Sequence, residues 1–242
     1  MELLSRVDAV SPRTVVDLGC GPGNLTRLLA ERWPQARVTG VDSSPAMIAS
    51  ARQLGTGVQF EVGDVRTWAD EAWPRSVDVL VSNATLQWVP GHLELLPGLV
   101  EAVSPGGWLA LQVPGNFDEP SHTIRAELAA EPPYAEHTRD VATPSAHGAA
   151  TYLEALSGLG CTVDAWETTY LHVLHGEDPV FTWISGTGAR PTLQALAAVD
   201  PALGRTFEVE LRRRLRAAYP ETGHGVVLPF QRVFVVTRKE RS

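Results

Sequence analysis

Three aspartates stand at the ends of three short apolar runs in the first quarter of the chain. Asp17 falls in Val15-Val16-Asp17-Leu18, Asp42 closes Val38-Thr39-Gly40-Val41-Asp42, and Asp64 follows Val62-Gly63. After the first run comes Gly19-Cys20-Gly21-Pro22-Gly23-Asn24, a turn whose backbone can take positive φ and approach a ligand closely. The chemistry open to such a set is recognition of a nucleoside. A carboxylate about twenty residues beyond a glycine turn is placed to accept from the 2′- and 3′-hydroxyls of a ribose, which is the role expected of Asp42. Asp64 would accept from an adenine amino group, with Val65 and Met47 as apolar walls. Each acid also has a plainer reading, Asp42 as the residue before a helix start and Asp64 as a turn acid.

Two ligand classes use such a turn. A dinucleotide site wants Gly-x-Gly-x-x-Gly with a pyrophosphate on the helix N-terminus, and here the third position of that pattern is Asn24. A carboxylate at Asp17 would repel a pyrophosphate. It would suit a cation, and S-adenosylmethionine carries a sulfonium and an ammonium group and no phosphate. The residues expected to line the nucleoside are Asp17, Gly19, Cys20, Gly21, Asp42, Ser43, Met47, Gly63, Asp64, Val65 and Asn83. Asn83-Ala84-Thr85-Leu86-Gln87-Trp88 follows a fourth apolar run, on the same edge, so the group to be modified is expected near Gln87 and Trp88. Both side chains could equally cap a helix or fill the core.

The elements that must hold these residues alternate. Val15–Leu18 reads as a strand and Leu25–Trp33 as a helix with Leu25, Leu28 and Leu29 on one face. Ala36–Asp42 is a second strand, and Ser44-Pro45 opens a helix with Ser44 as N-cap. Val58–Asp64 and Val77–Ser82 are the third and fourth strands, His92–Val103 is a helix, and Pro105-Gly106-Gly107 turns into a fifth strand, Trp108–Val113. Glu2–Val10 reads as the tail of a helix. The alternation predicts an α/β, doubly wound, mostly parallel seven-stranded sheet of Rossmann-like type. The second half differs: helices over Ser121–Ala130 and Ala149–Leu159, a long strand at Thr162–Leu174, two or three helices within Asp178–Tyr219, and a last strand at Val226–Arg238. The expected division is 1–117 for the nucleoside half and 118–242 for a half that completes the sheet and adds a helical lid near 119–130 and 178–219. Arg212, Arg213, Arg214 and Arg216 read as a solvated basic helix face.

The chain has 242 residues, 44% hydrophobic and 20% charged, enough to bury a full core. Its formal net charge of −8 argues against a broad nucleic-acid footprint and against an anionic membrane as partner. No run has membrane-spanning length and no signal-peptide pattern opens the chain, so a cytoplasmic setting is expected. Cys20 and Cys161 have no metal-ligand spacing, and no metal is expected.

Asp-Leu-Gly-Cys-Gly-Pro-Gly resembles the first motif of the seven-stranded, class I adenosylmethionine-dependent methyltransferases. Asp17–Asn24, Gly40–Met47, Ser82–Trp88, Gln112–Phe117, Glu119–His122, Ser185–Pro191, Tyr219-Pro220 and Pro229–Arg232 together resemble the trans-aconitate 2-methyltransferase family, across sheet and lid alike. That resemblance implies methyl transfer to a carboxylate of trans-aconitate, leaving a monomethyl ester and S-adenosylhomocysteine. A carboxylate is ionised at neutral pH, so no general base is needed. Cations should hold the non-reacting carboxylates, and the candidates are Arg190, His122 and Arg232, with Tyr170 and Tyr219 as hydroxyl donors. Members of that family carry a further N-terminal helical segment over the cofactor, and this chain starts after it. In its absence weak cofactor binding and a more open site are expected. Three alternatives stay open at this point: another small or carrier-linked acid as acceptor, an NAD-dependent dehydrogenase, and a non-catalytic adenosylmethionine-binding module. The sequence leaves the oligomeric state undetermined.

Overall fold

The computed structural model describes residues 2–55, 57–69 and 76–241. Its strands are β1 (Thr14–Leu18), β2 (Arg37–Asp42), β3 (Gln59–Val62), β4 (Val77–Asn83), β5 (Val103–Pro114), β6 (Cys161–Leu174), β7 (Glu221–Thr222) and β8 (Gly225–Lys239). Seven of them form one sheet in the order β3-β2-β1-β4-β5-β8-β6, and the two-residue β7 pairs only with β8. β1 to β5 pair in parallel. The expected doubly wound sheet is therefore present. β1, flanked by β2 on one side and β4 on the other, marks the place where the strand order reverses and where open α/β sheets leave a crevice. β1 and β4 are buried almost throughout, as strands covered on both faces must be, and this is why their sequences run apolar rather than alternating.

The chain divides into two compact units, neither of them continuous in sequence. The first holds residues 1–113, 146–167 and 233–242, and the second holds 114–145 and 168–232. The chain crosses between the units four times, and β6 and β8 each begin in one unit and end in the other. Each unit has its own core. In the first, sheet residues such as Val16, Leu80, Leu109 and Leu111 pack with Leu96, Leu99 and Leu156 from helices. In the second, Phe207, Leu211 and Leu215 recur every four residues along helix Pro201–Ala218 and bury against Leu128, Ile184, Leu196 and Leu228.

Several local expectations change. Helix Asn24–Arg32 buries Leu25, Thr26 and Leu29, while Leu28 is exposed. The buried face is turned toward Thr26, whose hydroxyl is drawn inward to Asp17. The segment His92–Val103 splits into a 3-10 turn (His92–Leu95) and a helix (Leu96–Ala102), and Val103 already opens β5. Pro105-Gly106-Gly107 is accordingly a bulge inside β5: Val77 faces Val103 and Val79 faces Trp108, so the extra residues loop out between them. Glu2–Val10 keeps only four helical residues, Glu2–Ser5. The arginine run is ion-paired rather than simply solvated. Arg213 and Arg214 pair with Glu210, Arg214 also with Glu131, and Arg212 and Arg216 with the buried Asp178. Among the described residues no helix is long and apolar enough to cross a membrane.

Candidate functional site

In the first unit the glycine loop leaves β1 and is fastened to β2. The backbone N–H groups of Gly19 and Cys20 both donate to the Val41 carbonyl, at 2.7 and 2.9 Å. The Gly21 N–H donates to Asp42 Oδ2 at 2.8 Å, and the Gly23 N–H to the Cys20 carbonyl at 3.1 Å. Pro22 has no N–H, so the amides of residues 19 to 23 are all spent inside the protein. A pyrophosphate needs such amides free and pointing at it. Residues 19 to 23 offer it none and set a carboxylate beside Gly21 instead, which disfavours the dehydrogenase reading.

Asp42 is the hinge of this arrangement. Its Oδ1 accepts the Ser44 N–H at 2.9 Å and its Oδ2 accepts the Gly21 N–H. A carboxylate has about four acceptor sites, so two remain for hydroxyls. The residue thus serves the helix start and keeps capacity for a ribose. Gly19, at φ +79°, has no room for a side chain: a Cβ there would lie 2.1 Å from the Thr85 hydroxyl, which itself donates to the Gly19 carbonyl at 3.1 Å. Gly21, at φ +54°, has open space where its Cβ would be. One glycine seats the loop on Thr85, and the other leaves its outer face clear for a ligand.

Two of the predicted acids have partners within the chain. Asp17 is buried and its Oδ2 accepts the Thr26 hydroxyl at 2.6 Å, which ties strand to helix. Burial pushes its pKa up to about 7; Thr26 opposes this and the nearby Asp42 adds to it. Asp64 caps helix Val65–Trp68, accepting the Arg66 N–H at 2.9 Å, and is paired with the Arg66 side chain, which holds its carboxyl below the usual carboxylate range. An adenine amino group would have to share it. Gly63 donates its N–H to the Asp42 carbonyl, Val65 is half-buried, and Ser43 and Met47 are exposed beside the loop. Burial pushes the Cys20 thiol up to about 12, with Asp17 and Asp42 adding to the effect, so it is an inert wall.

The carboxyl ends of β4 and β5 carry polar atoms without partners. Asn83 faces Gln112 across the two strands. Asn83 Oδ1, Gln87 Oε1 and both amide atoms of Gln112 are buried and unbonded. Gln87 Nε2 is used, donating to the Ala84 carbonyl at 2.7 Å, and Trp88 is exposed. Orphaned acceptor oxygens next to the loop after β1 fit a ligand that brings N–H donors, as an ammonium does. With the free capacity of Asp42, they make the first unit's residues a fit for S-adenosylmethionine.

The second unit gathers the other candidates. Arg232 lies over the rings of Tyr170 and Phe230, at 5.6 and 5.3 Å. His172, two residues beyond Tyr170, packs against Trp183 with ring centroids 4.8 Å apart, and its Nε2 is buried without a partner. Tyr219 is buried, and its hydroxyl oxygen accepts the Ser121 N–H at 2.9 Å, which leaves its own proton to donate. His122 sits against Phe117 and Gly188, and burial, with the charge of Arg125, lowers its pKa to about 4. It is therefore neutral at pH 7, which corrects its expected role as a cation. Arg190 opens helix Arg190–Val199, exposed and without an acid partner among the described residues.

Sequence reasoning passed over Thr85, Gln112, Arg125 and His172. Gln112 had a signal, a polar residue inside the apolar run Trp108–Val113. Thr85 had none, since only the loop's path brings its hydroxyl to Gly19.

A family profile described as a methyltransferase domain matches residues 15–107. The trans-aconitate 2-methyltransferase of Streptomyces avermitilis is 50% identical over 99% of this chain and 90% of its own length. That of Streptomyces coelicolor is 49% identical over 98% of this chain and 80% of its own. Among solved structures, an S-adenosylmethionine-dependent methyltransferase from Mesorhizobium loti superposes with a TM-score of 0.56 at 21% identity, covering 98% of this chain and 96% of that one, a likeness of fold.

Proposed function

The chain belongs to the trans-aconitate 2-methyltransferase family and is an S-adenosylmethionine-dependent methyltransferase. From that premise we propose that its acceptor is trans-aconitate, methylated on one carboxylate to a monomethyl ester. What carries the proposal is the reach of the similarity. Identity near 50% runs over 98–99% of the chain, through the second unit as well as the first, whereas the general methyltransferase profile stops at residue 107.

When bound, the cofactor supplies an electrophilic methyl group on a sulfonium. The residues of the first unit do the holding. Asp42 accepts from the ribose hydroxyls, the clear face of Gly21 admits the nucleoside, and the oxygens of Asn83 and Gln87 receive the ammonium. The acceptor carboxylate is already ionised at neutral pH, where the reference carboxylate pKa is about 4, so no side chain has to remove a proton. Alignment and exclusion of water are then what the protein contributes to rate. A cation on the attacking oxygen would lower its nucleophilicity, so the arginines belong on the other carboxylates, where a guanidinium binds two oxygens at once. Arg190 and Arg232 are assigned there, with the hydroxyls of Tyr170 and Tyr219.

The test is a panel of acids with S-adenosylmethionine, read by mass spectrometry of the products. A single methyl ester formed fastest on trans-aconitate is the expected result. Faster transfer to a fatty acid or a carrier-linked acid would replace the proposed acceptor.

A further inference from the structure

Arg125 is the most deeply buried guanidinium among the described residues, 5% exposed, on helix Pro120–Ala129 in the second unit. Its one hydrogen bond is from Nη1 to the Thr192 hydroxyl at 3.0 Å, and its Nε is buried with no partner. No acid pairs with it among the described residues. The contrast within the same unit is plain: Arg212, Arg213, Arg214 and Arg216 each have a carboxylate. A buried cation without a counter-charge costs several kcal/mol in principle, so a chain keeps one where something else supplies the charge.

The surroundings indicate what that is. Arg125 and Thr192 border a cavity of about 300 Å³ that belongs wholly to the second unit. Its wall adds Arg139, Thr138 and Thr143 and several alanines, and contains no aspartate or glutamate. The Thr138 hydroxyl is committed to the Ala129 and Tyr134 carbonyls, which leaves the guanidinium groups of the buried Arg125 and the exposed Arg139 as the unspent donors. Two arginines, hydroxyls, small side chains and no acid describe a receptor for a compact anion, and the planar fork of Arg125 matches a carboxylate.

We infer that Arg125, backed by Thr192, binds a non-reacting carboxylate of the acid that this enzyme methylates. The choice of acid rests on the proposed function; the anion site rests on the cavity and the unpaired guanidinium. Arg125 selects acceptors by charge: an acid with a single carboxylate, spent on the reaction, leaves it unpaired.

The experiment compares wild type with Arg125→Met, which keeps the side chain's length without its charge, and with Thr192→Val. Three quantities are read: the thermal midpoint with and without trans-aconitate, against acetate at equal ionic strength; KM for trans-aconitate; and S-adenosylhomocysteine affinity. The expected Arg125→Met protein is at least as heat-stable as wild type without ligand, because a buried unpaired charge has gone. It is no longer stabilised by trans-aconitate, its KM for that acid rises about tenfold to a hundredfold, and its S-adenosylhomocysteine affinity is unchanged. Thr192→Val shows a smaller change of the same kind. An unchanged KM with undiminished stabilisation by trans-aconitate overturns the inference while the proposed acceptor stands. A wild type that is stabilised by trans-aconitate through Arg125 but does not methylate it overturns the proposed acceptor and keeps the anion site. If Arg125→Met is less heat-stable and Thr192→Val binds trans-aconitate as wild type does, Arg125 is structural and the inference fails.

Discussion

The glycine loop of the first unit and the arginines of the second solve opposite problems. In the loop, each amide from Gly19 to Gly23 and both oxygens of Asp42 are already bonded within the protein, so the surface offered to a nucleoside is rigid before any ligand arrives. In the second unit, Arg125, Arg190 and Arg232 have no acid partner among the described residues, and His172 Nε2 and Arg125 Nε are buried unbonded. The glycine loop is finished by its own chain, whereas the amides of Asn83, Gln87 and Gln112 at the strand ends and the arginines of the second unit are left for a ligand to complete. A loop that spends its hydrogen bonds internally can shape a pocket but cannot grip a phosphate, whereas groups left unpaired have their full strength for a charged partner.

The sharpest way to break the finished site is at Gly19. Gly19→Ala drives a Cβ to 2.1 Å from the Thr85 hydroxyl at a backbone φ of +79°, and chemical denaturation is expected to show a loss of about 3 kcal/mol or more. Gly21→Ala is the matched control: its Cβ meets nothing, so only the cost of the left-handed backbone, about 1 kcal/mol, should appear, while S-adenosylhomocysteine binding is lost to the occupied face. Equal destabilisation by the two would remove Thr85 from the account.

Asp42→Asn separates the units next. An amide has one acceptor oxygen where the carboxylate bonds Gly21 and Ser44 with two, so calorimetry should find S-adenosylhomocysteine binding weakened about tenfold to a hundredfold. KM for the acid should hardly move. Arg190→Ala should do the reverse and more mildly, raising KM for trans-aconitate by up to about tenfold with cofactor affinity intact, since the side chain is exposed. Normal turnover in Arg190→Ala would take that residue out of the site.

The smallest expected effect is a change of slope with pH. Asp17 keeps its proton in the folded protein up to about pH 7, whereas the unfolded chain releases it near its ordinary pKa of 3.8. The folded state binds more protons across that window, so wild-type stability should fall as pH rises from about 4 to 7. Asp17→Asn, which still offers Thr26 an acceptor, should lack that fall. Denaturant midpoints at pH 4, 5.5 and 7 measure it, and parallel curves would contradict the burial of Asp17.

These residues also show what a sequence discloses. The strand ends, the glycine turn and Asp42 were legible because they are local: an apolar run, a turn and an acid follow one another in the chain, and the parallel sheet then aligns them. The burial of Asp17 was not legible by the same logic. Its position beside the loop is right, but the alternation that points it inward toward Thr26 is set by the helix above, 9 residues on. The Pro105–Gly107 bulge read as a turn because its residues are turn residues, and only pairing with β4 shows that the strand continues. Arg125 was invisible for a stronger reason. A buried cation and an exposed one have the same letter, and what distinguishes Arg125 from Arg213 is the missing carboxylate in three dimensions.

A crystal structure with S-adenosylhomocysteine and trans-aconitate bound together tests the division of labour directly. The account predicts ribose hydroxyls on the Asp42 carboxylate, no ligand oxygen on the amides of Gly19 to Gly23, and guanidinium groups of the second unit on carboxylates of the acid. A nucleoside bound away from Asp42, or an acid held without any arginine of residues 114–145 and 168–232, would contradict it.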